Sequence, residues 1–387
     1  MKTYVFTNRV YPPVRGATGE LLKELAEGLA DADTRVVVVT SRGPSELDLP
    51  DRETVGGVEV VRVGSTPFSR GSHWRRGLSY LSLYPALMWQ IWKLGRVDAV
   101  VSMTDPPLLV AAVTFASYGT KKRVHWAQDV YPELAEELGV IRRRGLLARV
   151  LRSISTWALG KQDEIVVLGR CMRERLMSRG VDASKIDIIP NWTSLVKPSA
   201  DRVAAMRAKL GWNGEFIALY SGNIGLAHDF ATLVEAAKML EGCKVRLVFA
   251  GEGPSLAELQ RGCAGLPHVS FLPSQPKENL SEFLAAADVH LVSVREGLEG
   301  LVVPSKAYGA VALGTPIVYV GPRTSEVARL IEETNTGTAV SNGDAQGLAS
   351  AVHRYAEKKA EDASRRIEAD VSFAAALAHW RDILNNK

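Results

Sequence analysis

A loop between an apolar run at 289–294 and an alanine-rich segment carries side chains suited to binding a negatively charged group. Pro304 is typical of the first turn of a helix, which places Lys306 beside the positive N-terminus of that helix. A lysine there neutralises a departing diphosphate, and a carboxylate of the same loop accepts hydrogen bonds from sugar hydroxyls. The alternative is a solvated loop before a packing helix. The residues assigned to this chemistry are Arg295, Glu296, Glu299, Pro304, Ser305 and Lys306.

Three glycine-rich loops follow predicted strands and precede predicted helices, where backbone N–H groups and the helix dipole favour an anion. Glycine is required where the backbone approaches a diphosphate closely. Each loop alone is also explained as an ordinary turn, but two in consecutive units and a third elsewhere favour a nucleotide-binding cleft. The loop residues assigned to binding this nucleotide, the donor of the transferred group, are Gly16 and Thr18, then Gly222, Asn223 and Gly225, then Gly251, Glu252 and Gly253, and finally Ser274 after the next strand.

Two aspartates and a glutamate are candidates for contacting the acceptor, the molecule that receives the transferred group. Asp129 follows a predicted strand at 122–128 and is the candidate general base, although it also suits the N-cap of a helix that Pro132 begins. Glu133 lies four residues later and shares that face if the helix begins near Pro132. Asp105, before two prolines, is either an acceptor-side residue or a polar loop residue. The predicted catalytic residues are Asp129, Glu299 and Lys306.

Short β-branched runs alternate with amphipathic helical stretches along the chain, which predicts parallel sheets built from βα units. The segment 186–200 contains two prolines and lacks periodicity, so it is interpreted as a linker. We therefore predict an α/β protein of two doubly wound, Rossmann-like domains that face a central cleft. The predicted domains are residues 1–190 and residues 191–369, with a C-terminal helix at about 370–387 packing back on the first.

The composition is that of a soluble globular protein, with 46% hydrophobic and 23% charged residues in 387. The three cysteines match no disulfide or zinc spacing, which favours a reducing compartment. Neither a signal peptide nor a run of about 18 apolar residues is found, so a cytoplasmic protein is expected. Asp31 and Asp33 have the spacing of a metal-binding pair but lie in a predicted turn, and the histidines are scattered. No metal site is predicted.

Two segments of the N-terminal half, 67–96 and 141–161, combine basic residues with aromatic and leucine residues. Residues 1–195 contain 27 Lys and Arg against 21 Asp and Glu. This combination is typical of a surface that lies on an anionic membrane, at roughly 1 kcal/mol per charge. The alternative is a packed core with a solvated arginine rim. A nucleic-acid partner is not expected, because no binding motif is present and the charge excess is small.

Several motifs, taken in order, resemble family 4 of the retaining glycosyltransferases, which have the GT-B fold. They are FTNRVYPPVRGATGELLKELAEGLA, TDPPLL, HWAQDVYPEL, PNWTS, YSGNIGLAHDF, FAGEGP and EGLEGLVVPSKAYGAVALGTP. The DVYPE and PNW elements are similar to a branch that builds bacterial surface polysaccharides and includes fucosaminyl and N-acetylhexosaminyl transferases. The resemblance implies donor binding by the C-terminal domain, acceptor binding by the N-terminal domain, and metal-independent transfer with retained anomeric configuration.

The sequence departs from the motif of that family at two glutamates, usually spaced E-x(7)-E. Counted back from Gly314, their positions are occupied by Gly309 and Leu301, so the usual glutamate contact to the donor ribose is missing. Because related branches carry P-S-K-x-Y-G here, Gly309 is not taken as a sign of lost activity. The family's arginine and lysine after the GNxG loop are also absent. Lys306 and Arg295 are therefore the candidates for binding the diphosphate.

The predicted function is transfer of a sugar from a nucleotide diphosphate donor, a UDP-sugar by the resemblance, to a lipid-linked or membrane-associated glycan. Beyond this donor substrate no cofactor is expected, and the predicted location is the cytoplasmic face of the membrane. One alternative is a nucleotide-sugar 2-epimerase of the same fold, which has no need of the basic aromatic segments. The other is a nucleotide-sugar-binding scaffold without catalysis, which Gly309 and Leu301 suggest.

Overall fold

The computed structural model describes residues 1–14, 16–64, 73–212, 214–358 and 372–385, without the side chains of residues 45, 73–81 and 358. The chain divides into two compact units. The first unit contains Met1–Pro190, Gly300–Val302 and Ala374–Lys387, and the second contains Asn191–Glu299 and Val303–Phe373.

The first unit is built on a sheet of eight strands in the order β3-β4-β2-β1-β5-β6-β7-β8. All neighbours are parallel except β3 and β4. The strands are β1 (Lys2–Thr7), β2 (Thr34–Ser41), β3 (Arg52–Val55), β4 (Val58–Val63), β5 (Ala99–Ser102), β6 (Lys122–Ala127), β7 (Glu164–Val167) and β8 (Ile186–Ile188). The helices are α1 (Ala17–Leu29), α2 (His73–Leu94), α3 (Leu109–Ala116), α4 (Glu133–Glu137), α5 (Leu146–Gly160) and α6 (Arg170–Met177).

The second unit contains a parallel sheet of six strands in the order β11-β10-β9-β12-β13-β14. The strands are β9 (Phe216–Ser221), β10 (Val245–Ala250), β11 (Val269–Leu272), β12 (Val289–Ser293), β13 (Ile317–Val320) and β14 (Gly337–Val340). The helices are α7 (Ala200–Leu210), α8 (Phe230–Met239), α9 (Leu256–Gly262), α10 (Leu280–Ala285), α11 (Lys306–Leu313), α12 (Glu326–Thr334) and α13 (Ala345–Lys358), and the last helix of the chain is α14 (Phe373–Asn385).

The residue pattern accounts for these elements. Residues 36–39 of β2 are four consecutive buried valines, because a parallel strand is covered on both faces. In α1, the residues at helical spacing Leu22, Leu25 and Leu29 are buried, which gives one apolar face against the sheet. The predicted α/β fold with two Rossmann-like domains is confirmed.

In each sheet the strand order reverses at one point, and the loops that flank this point leave the carboxyl ends of the strands. In the first unit the reversal lies between β1 and β5, and in the second it lies between β9 and β12. Ligands of doubly wound proteins bind outside the carboxyl ends of the strands at this switch point. The loops after these four strands are therefore the places where each unit positions functional side chains.

The last helix completes the core of the first unit. Trp380 of α14 is fully buried, with its ring centre 5.0 Å from that of Trp126 and 6.5 Å from that of Phe6. At the surface, Arg381 donates a hydrogen bond to the carbonyl of Gly28 at 2.9 Å. A segment that is last in sequence thus packs against strands that are first.

The segment predicted as a linker is more ordered than expected. Ile186–Ile188 forms β8, which pairs with β7, and α7 begins at Ala200. The hydroxyl of Ser199 caps α7 by accepting the N–H of Arg202. A three-residue strand is too short to show alternation, and the antiparallel edge strand β3 and the β14 strand escaped prediction for the same reason. That part of the linker interpretation was wrong.

Candidate active site

Lys306 lies at the start of α11, directly after Pro304 and Ser305. Its ammonium nitrogen is buried and has no hydrogen-bond partner among the described residues. The nitrogen lies 3.8 Å from the centre of the Tyr220 ring. Burial lowers the pKa of Lys306 to about 7. An ammonium group with three N–H donors and no acceptor is suited to receive an anion.

The two glycine loops of the second unit pack against each other through their backbones. Gly251 has φ 146° and Gly253 has φ 158°, and a Cβ at either position would overlap the carbonyl of Gly222 or Ile224, respectively. The N–H of Ile224 donates to the carbonyl of Glu252 at 2.8 Å. Glycine is required here because no side chain fits between the loops.

Tyr220 connects the first of these loops to the lysine. It is the fully buried penultimate residue of β9, and its hydroxyl donates to the carbonyl of Asn223 at 2.9 Å. A Cβ placed on Gly222 would lie 3.5 Å from Cε of Lys306, so that glycine also lets the loop approach the lysine. The amide side chain of Asn223 lies against Gly225.

The loop after β12 lies beside the same glycine loop. The N–H of Arg295 donates to the carbonyl of Ala227 at 2.9 Å, and its guanidinium donates to the carbonyl of Leu226 at 3.2 Å. Arg295 and Glu296 are exposed. Oε2 of Glu299 is buried and lacks a hydrogen-bond partner within the described residues. This carboxylate oxygen therefore has acceptor capacity for a ligand hydroxyl.

Most of the predicted donor residues fall into three groups, and Glu296, Pro304 and Ser305 adjoin members of the first group in the chain. Those from the loops after β9, β10 and β12, together with Lys306, form one cluster at the carboxyl edge of the second sheet, which we call the loop cluster; its members are Gly222, Asn223, Gly225, Gly251, Glu252, Gly253, Arg295 and Lys306. Ser274 is exposed two residues beyond β11. Gly16 and Thr18 belong to the first unit, where Gly16 is the N-cap of α1 and the hydroxyl of Thr18 accepts from Nδ2 of Asn8 at 3.2 Å.

Sequence reasoning missed Tyr220, and His228 lies beside it with ring centres 5.7 Å apart. Nδ1 of His228 lies 2.6 Å from the carbonyl of Ser293, and burial together with the charge of Lys306 lowers its pKa to about 3. The imidazole is therefore neutral at pH 7. The signal for Tyr220 was an aromatic residue with a hydroxyl group directly before a Ser-Gly turn.

The two positions where the family pattern expects glutamate are apolar. A Cβ on the buried Gly309 would lie 3.3 Å from Cδ1 of Leu195 and 3.9 Å from Cδ1 of Leu284. Leu301 is fully buried in the first unit, and its carbonyl accepts the N–H of Val130 at 2.9 Å. A glutamate at position 309 would have to displace Leu195, and one at position 301 would bury its carboxylate.

In the first unit, two aspartates lie at the carboxyl ends of neighbouring strands. Asp105 forms an ion pair with Arg9 at 2.6 Å. Burial and the negative charge of Asp105 raise the pKa of Asp129 to about 7. The N–H of Asp129 donates to the hydroxyl of Thr104 at 3.4 Å. Asp129 is not a helix cap, because Pro132 is the N-cap of α4.

Glu133 is engaged in a network of arginines. Its carboxylate lies 3.2 Å from Nε of Arg152 and 3.3 Å from a terminal nitrogen of Arg179. The side chain is 9% exposed. Both oxygens face arginines, so we assign Glu133 no direct part in sugar transfer.

The first unit exposes apolar side chains on three neighbouring helices. Trp89 and Trp92 of α2 are 55% and 61% exposed and stack with ring centres 4.9 Å apart. Phe115 of α3 lies 4.8 Å from Trp157 of α5. We call this set the aromatic surface; its members are Trp89, Trp92, Phe115, Tyr118, Leu146, Leu147, Val150, Ile154 and Trp157. The opposite face of α2 is buried in the core through Leu83, Leu87 and Ile91.

Part of the first basic segment lies outside the described residues. This applies to residues 67–72, with Arg70, and to the side chains of Trp74, Arg75, Arg76 and Tyr80. Within the described ranges, no helix is long and apolar enough to cross a membrane, and no group of three or more His, Cys, Asp or Glu residues could bind a metal ion. Asp31 and Asp33 form a turn, in which the N–H of Asp33 donates to the Asp31 carboxylate at 2.9 Å.

Two doubly wound units, with a cluster of glycine-rich loops and a buried lysine in the second, are typical of two-domain nucleotide-dependent transferases. Residues 16–192 match the glycosyl transferase 4-like domain, and residues 215–358 match the glycosyl transferases group 1 family. The two matches together span most of the chain. The chain belongs to the group 1 glycosyltransferases of the GT-B fold, and the prediction of a glycosyltransferase is confirmed.

Two relatives carry glycosyltransferase names. The probable glycosyltransferase WbjE of Pseudomonas aeruginosa is 29% identical over 73% of this chain and 72% of its own length. The putative colanic acid biosynthesis glycosyl transferase WcaI of Escherichia coli K12 is 28% identical over 67% of this chain and 65% of its own length. A fucosaminyl specificity is not indicated by either name.

Solved structures share the fold at low sequence identity. A sucrose-phosphate synthase from Thermosynechococcus elongatus has a TM-score of 0.75 at 18% identity, covering 99% of this chain and 98% of its own. HepE of Anabaena, solved with UDP-glucose, has a TM-score of 0.70 at 15% identity, covering 99% and 95%.

Proposed function

We propose that this glycosyltransferase transfers a sugar from a UDP-sugar to a lipid-linked or membrane-associated glycan in the synthesis of a bacterial surface polysaccharide. The names of the relatives WbjE and WcaI support the polysaccharide setting. The UDP-glucose bound to the similarly folded HepE supports uridine as the base of the donor. The proposed reaction retains the anomeric configuration and uses no metal.

The observation that carries the proposal is the buried ammonium of Lys306, which lacks a hydrogen-bond partner among the described residues. A buried, unpaired cation is costly, and the cost is removed when an anion binds to it. Gly222 approaches this ammonium without a side chain, and the start of α11 adds the positive end of a helix dipole. A diphosphate supplies the anion that this arrangement lacks.

The proposed reaction breaks the bond between the anomeric carbon and the diphosphate oxygen. The acceptor hydroxyl oxygen forms its bond to the same carbon on the same face, and its proton passes to the departing diphosphate. Lys306 neutralises the charge that develops on the leaving group, which is the largest electrostatic demand of such a step. Glu299 accepts hydrogen bonds from donor sugar hydroxyls, and Asp129 assists as the acceptor-side base of the first unit.

The proposed acceptor side is the first unit, which rests on the cytoplasmic face of the membrane. The aromatic surface supports this, because exposed tryptophan, phenylalanine and leucine side chains gain free energy at a lipid interface. Basic residues of the segments 67–96 and 141–161 attract anionic headgroups.

A thermal-shift series with UDP-, GDP- and dTDP-sugars tests the donor. A ligand that binds only the folded protein raises its Tm by mass action, so the UDP-sugar is expected to give the largest shift. The protein is then assayed for release of UDP from the UDP-sugar. Slow release without acceptor supports a transferase, whereas binding without turnover indicates the scaffold and conversion to an epimer indicates the 2-epimerase.

A further inference from the structure

A pocket of about 380 Å³ lies in the first unit between α4, α5 and α6, apart from the aspartates at the strand ends. Its floor is a network of charged side chains. Glu133 forms an ion pair with Arg152 and accepts from Arg179, and Glu136 accepts from Arg152 and from the backbone N–H of Arg144 at 2.9 Å. These bonds fix the position of the floor.

The pocket has more positive than negative side chains. Glu137 pairs with Arg143 at 3.3 Å, so the three glutamates of the lining are matched by Arg143, Arg152 and Arg179. Two further arginines of the lining, Arg144 and Arg175, have no carboxylate partner among the described residues. The lining therefore carries two unmatched positive charges.

Arg179 lies close enough to the other charged side chains of the pocket to respond to them. Its side chain is 9% exposed, and its Nε is buried without a hydrogen-bond partner in the described structure. Burial lowers the pKa of Arg179, the charge of Glu133 raises it, and the positive charges of Arg152 and Arg175 lower it. An anion in the pocket would relieve this repulsion and accept the unused N–H groups.

The pocket borders an apolar exterior. A neighbouring open cavity shares Arg143 and Arg144 and is lined also by Leu146 and Leu147. These two leucines are 72% and 57% exposed and belong to the aromatic surface. A ligand that combines a phosphate with an apolar chain matches both neighbouring regions.

We propose that this arginine pocket binds the phosphate or diphosphate group of a lipid-linked acceptor, with the lipid chain lying along α5. The inference deepens the proposed function, because it names the chemical class of the acceptor. The guanidinium groups of Arg144 and Arg175 would bind the phosphate oxygens in bidentate fashion. Arg152 and Arg179 would add the remaining donors.

The test uses farnesyl diphosphate, below its micelle concentration, and isothermal titration calorimetry on the full chain. The double variant Arg144→Gln, Arg175→Gln is expected to weaken binding by about tenfold or more. The matched control is Arg261→Gln, which removes an exposed arginine of α9 that lines neither the pocket nor the neighbouring cavity. The control is expected to bind within about twofold of the wild type. Equal binding by the wild type and the double variant would refute the proposal.

Two further arms separate the sources of the phosphate. Farnesol, which lacks the phosphate, is expected to bind weakly to all variants. Vesicles of phosphatidylglycerol and phosphatidylcholine are expected to bind the double variant within about twofold of the Arg261→Gln control, because Arg144 is one of several basic residues in the segment 141–161. If instead only vesicle binding is lost in the double variant, the pocket recognises bulk lipid headgroups and the proposal is wrong. UDP binding is measured in parallel, so a failure of the donor site is seen separately.

Discussion

The ammonium nitrogen of Lys306 lies 3.8 Å from the centre of the Tyr220 ring, and this pair sets the electrostatics of the loop cluster. The π face of the ring partly compensates the cation for lost water. It accepts no conventional hydrogen bond in place of the missing acceptor, so the charge stays poorly stabilised until an anion binds. The poorly stabilised charge of Lys306 should affect turnover, donor affinity and folding stability.

Lys306→Met should reduce the turnover of a nucleotide sugar by about tenfold or more, because the leaving diphosphate loses its cation. Folding should be retained, since methionine fills a similar volume without a buried charge. Initial rates of UDP release measure the effect. Lys238→Met, which removes an exposed lysine paired with Glu235, serves as the control and should be near normal. Normal turnover of Lys306→Met would remove the lysine from the site.

Donor binding should take up protons at mildly alkaline pH. The pKa of free Lys306 is lowered to about 7, and a bound diphosphate favours the protonated form and raises it. Affinity for a UDP-sugar should therefore be highest below pH 7 and fall as pH rises above 7, approaching about tenfold per pH unit. Calorimetry in buffers of different ionisation enthalpy measures the uptake. A pH-independent affinity between pH 7 and 9 would contradict it.

The same shift changes folding stability. Between pH 7 and the ordinary lysine value of 10.5, the unfolded chain binds a proton at Lys306 that the folded protein does not. The free energy of unfolding should then rise with pH across this window. Lys306→Met should flatten the rise, as measured by urea unfolding at pH 7 and pH 9. Parallel curves for both proteins would exclude a contribution from Lys306.

Gly251→Ala should disrupt donor binding more than its backbone strain alone explains. A Cβ at Gly251 overlaps the carbonyl of Gly222, so the two glycine loops must separate. Gly265→Ala is the matched control, because Gly265 also has positive φ but open space around its Cβ. Both variants should lose about 1 kcal/mol of stability from the left-handed backbone, and only Gly251→Ala should lose UDP binding. Thermal shift with UDP compares them.

Asp105→Asn should shift the acid limb of the pH–rate profile to lower pH. Burial and the charge of Asp105 raise the pKa of Asp129, so removing the Asp105 charge should lower that pKa. If Asp129 acts as a base, the enzyme then reaches its active form at lower pH. Rates measured between pH 5 and 8 locate the limb. Asp129→Asn tests whether the limb belongs to this group, since the limb should vanish in that variant.

Trp89→Ser with Trp92→Ser should release the protein from anionic vesicles. Both indoles are more than half exposed. Their removal takes away apolar surface that would otherwise insert into the lipid interface. Co-sedimentation with phosphatidylglycerol vesicles measures the bound fraction. Met239→Ser with Val196→Ser removes exposed apolar side chains of the second unit and should bind as the wild type does. If the tryptophan variant and the control variant bind vesicles equally, the membrane proposal is wrong.

Strands and helices were predictable from the sequence where the signal lay within one short segment. The apolar run at 289–294 and Pro304 predicted a strand, a loop and a helix start, and the structure has β12 and α11 in those places. The burial of the Lys306 ammonium was not predictable, because it depends on Tyr220 from a strand more than eighty residues earlier. That neighbour is set by the pairing of β9 with β12, which no local pattern encodes.

Gly309 shows a related limit. Its lack of a carboxylate was visible in the sequence, but the reason was not. Leu195, from the segment interpreted as a linker, lies where the side chain of residue 309 would extend. An apolar contact replaces the family's polar one, and Gly309→Glu would have to displace that leucine. Non-periodic segments give no signal for such packing.

The position of α14 has a consequence for biosynthesis. The ribosome adds Trp380, which fills the centre of the first unit, only after it has made the second unit. The core of the first unit therefore stays open while the second unit is synthesised. A fragment ending at Pro190 would expose Trp126 and Phe6.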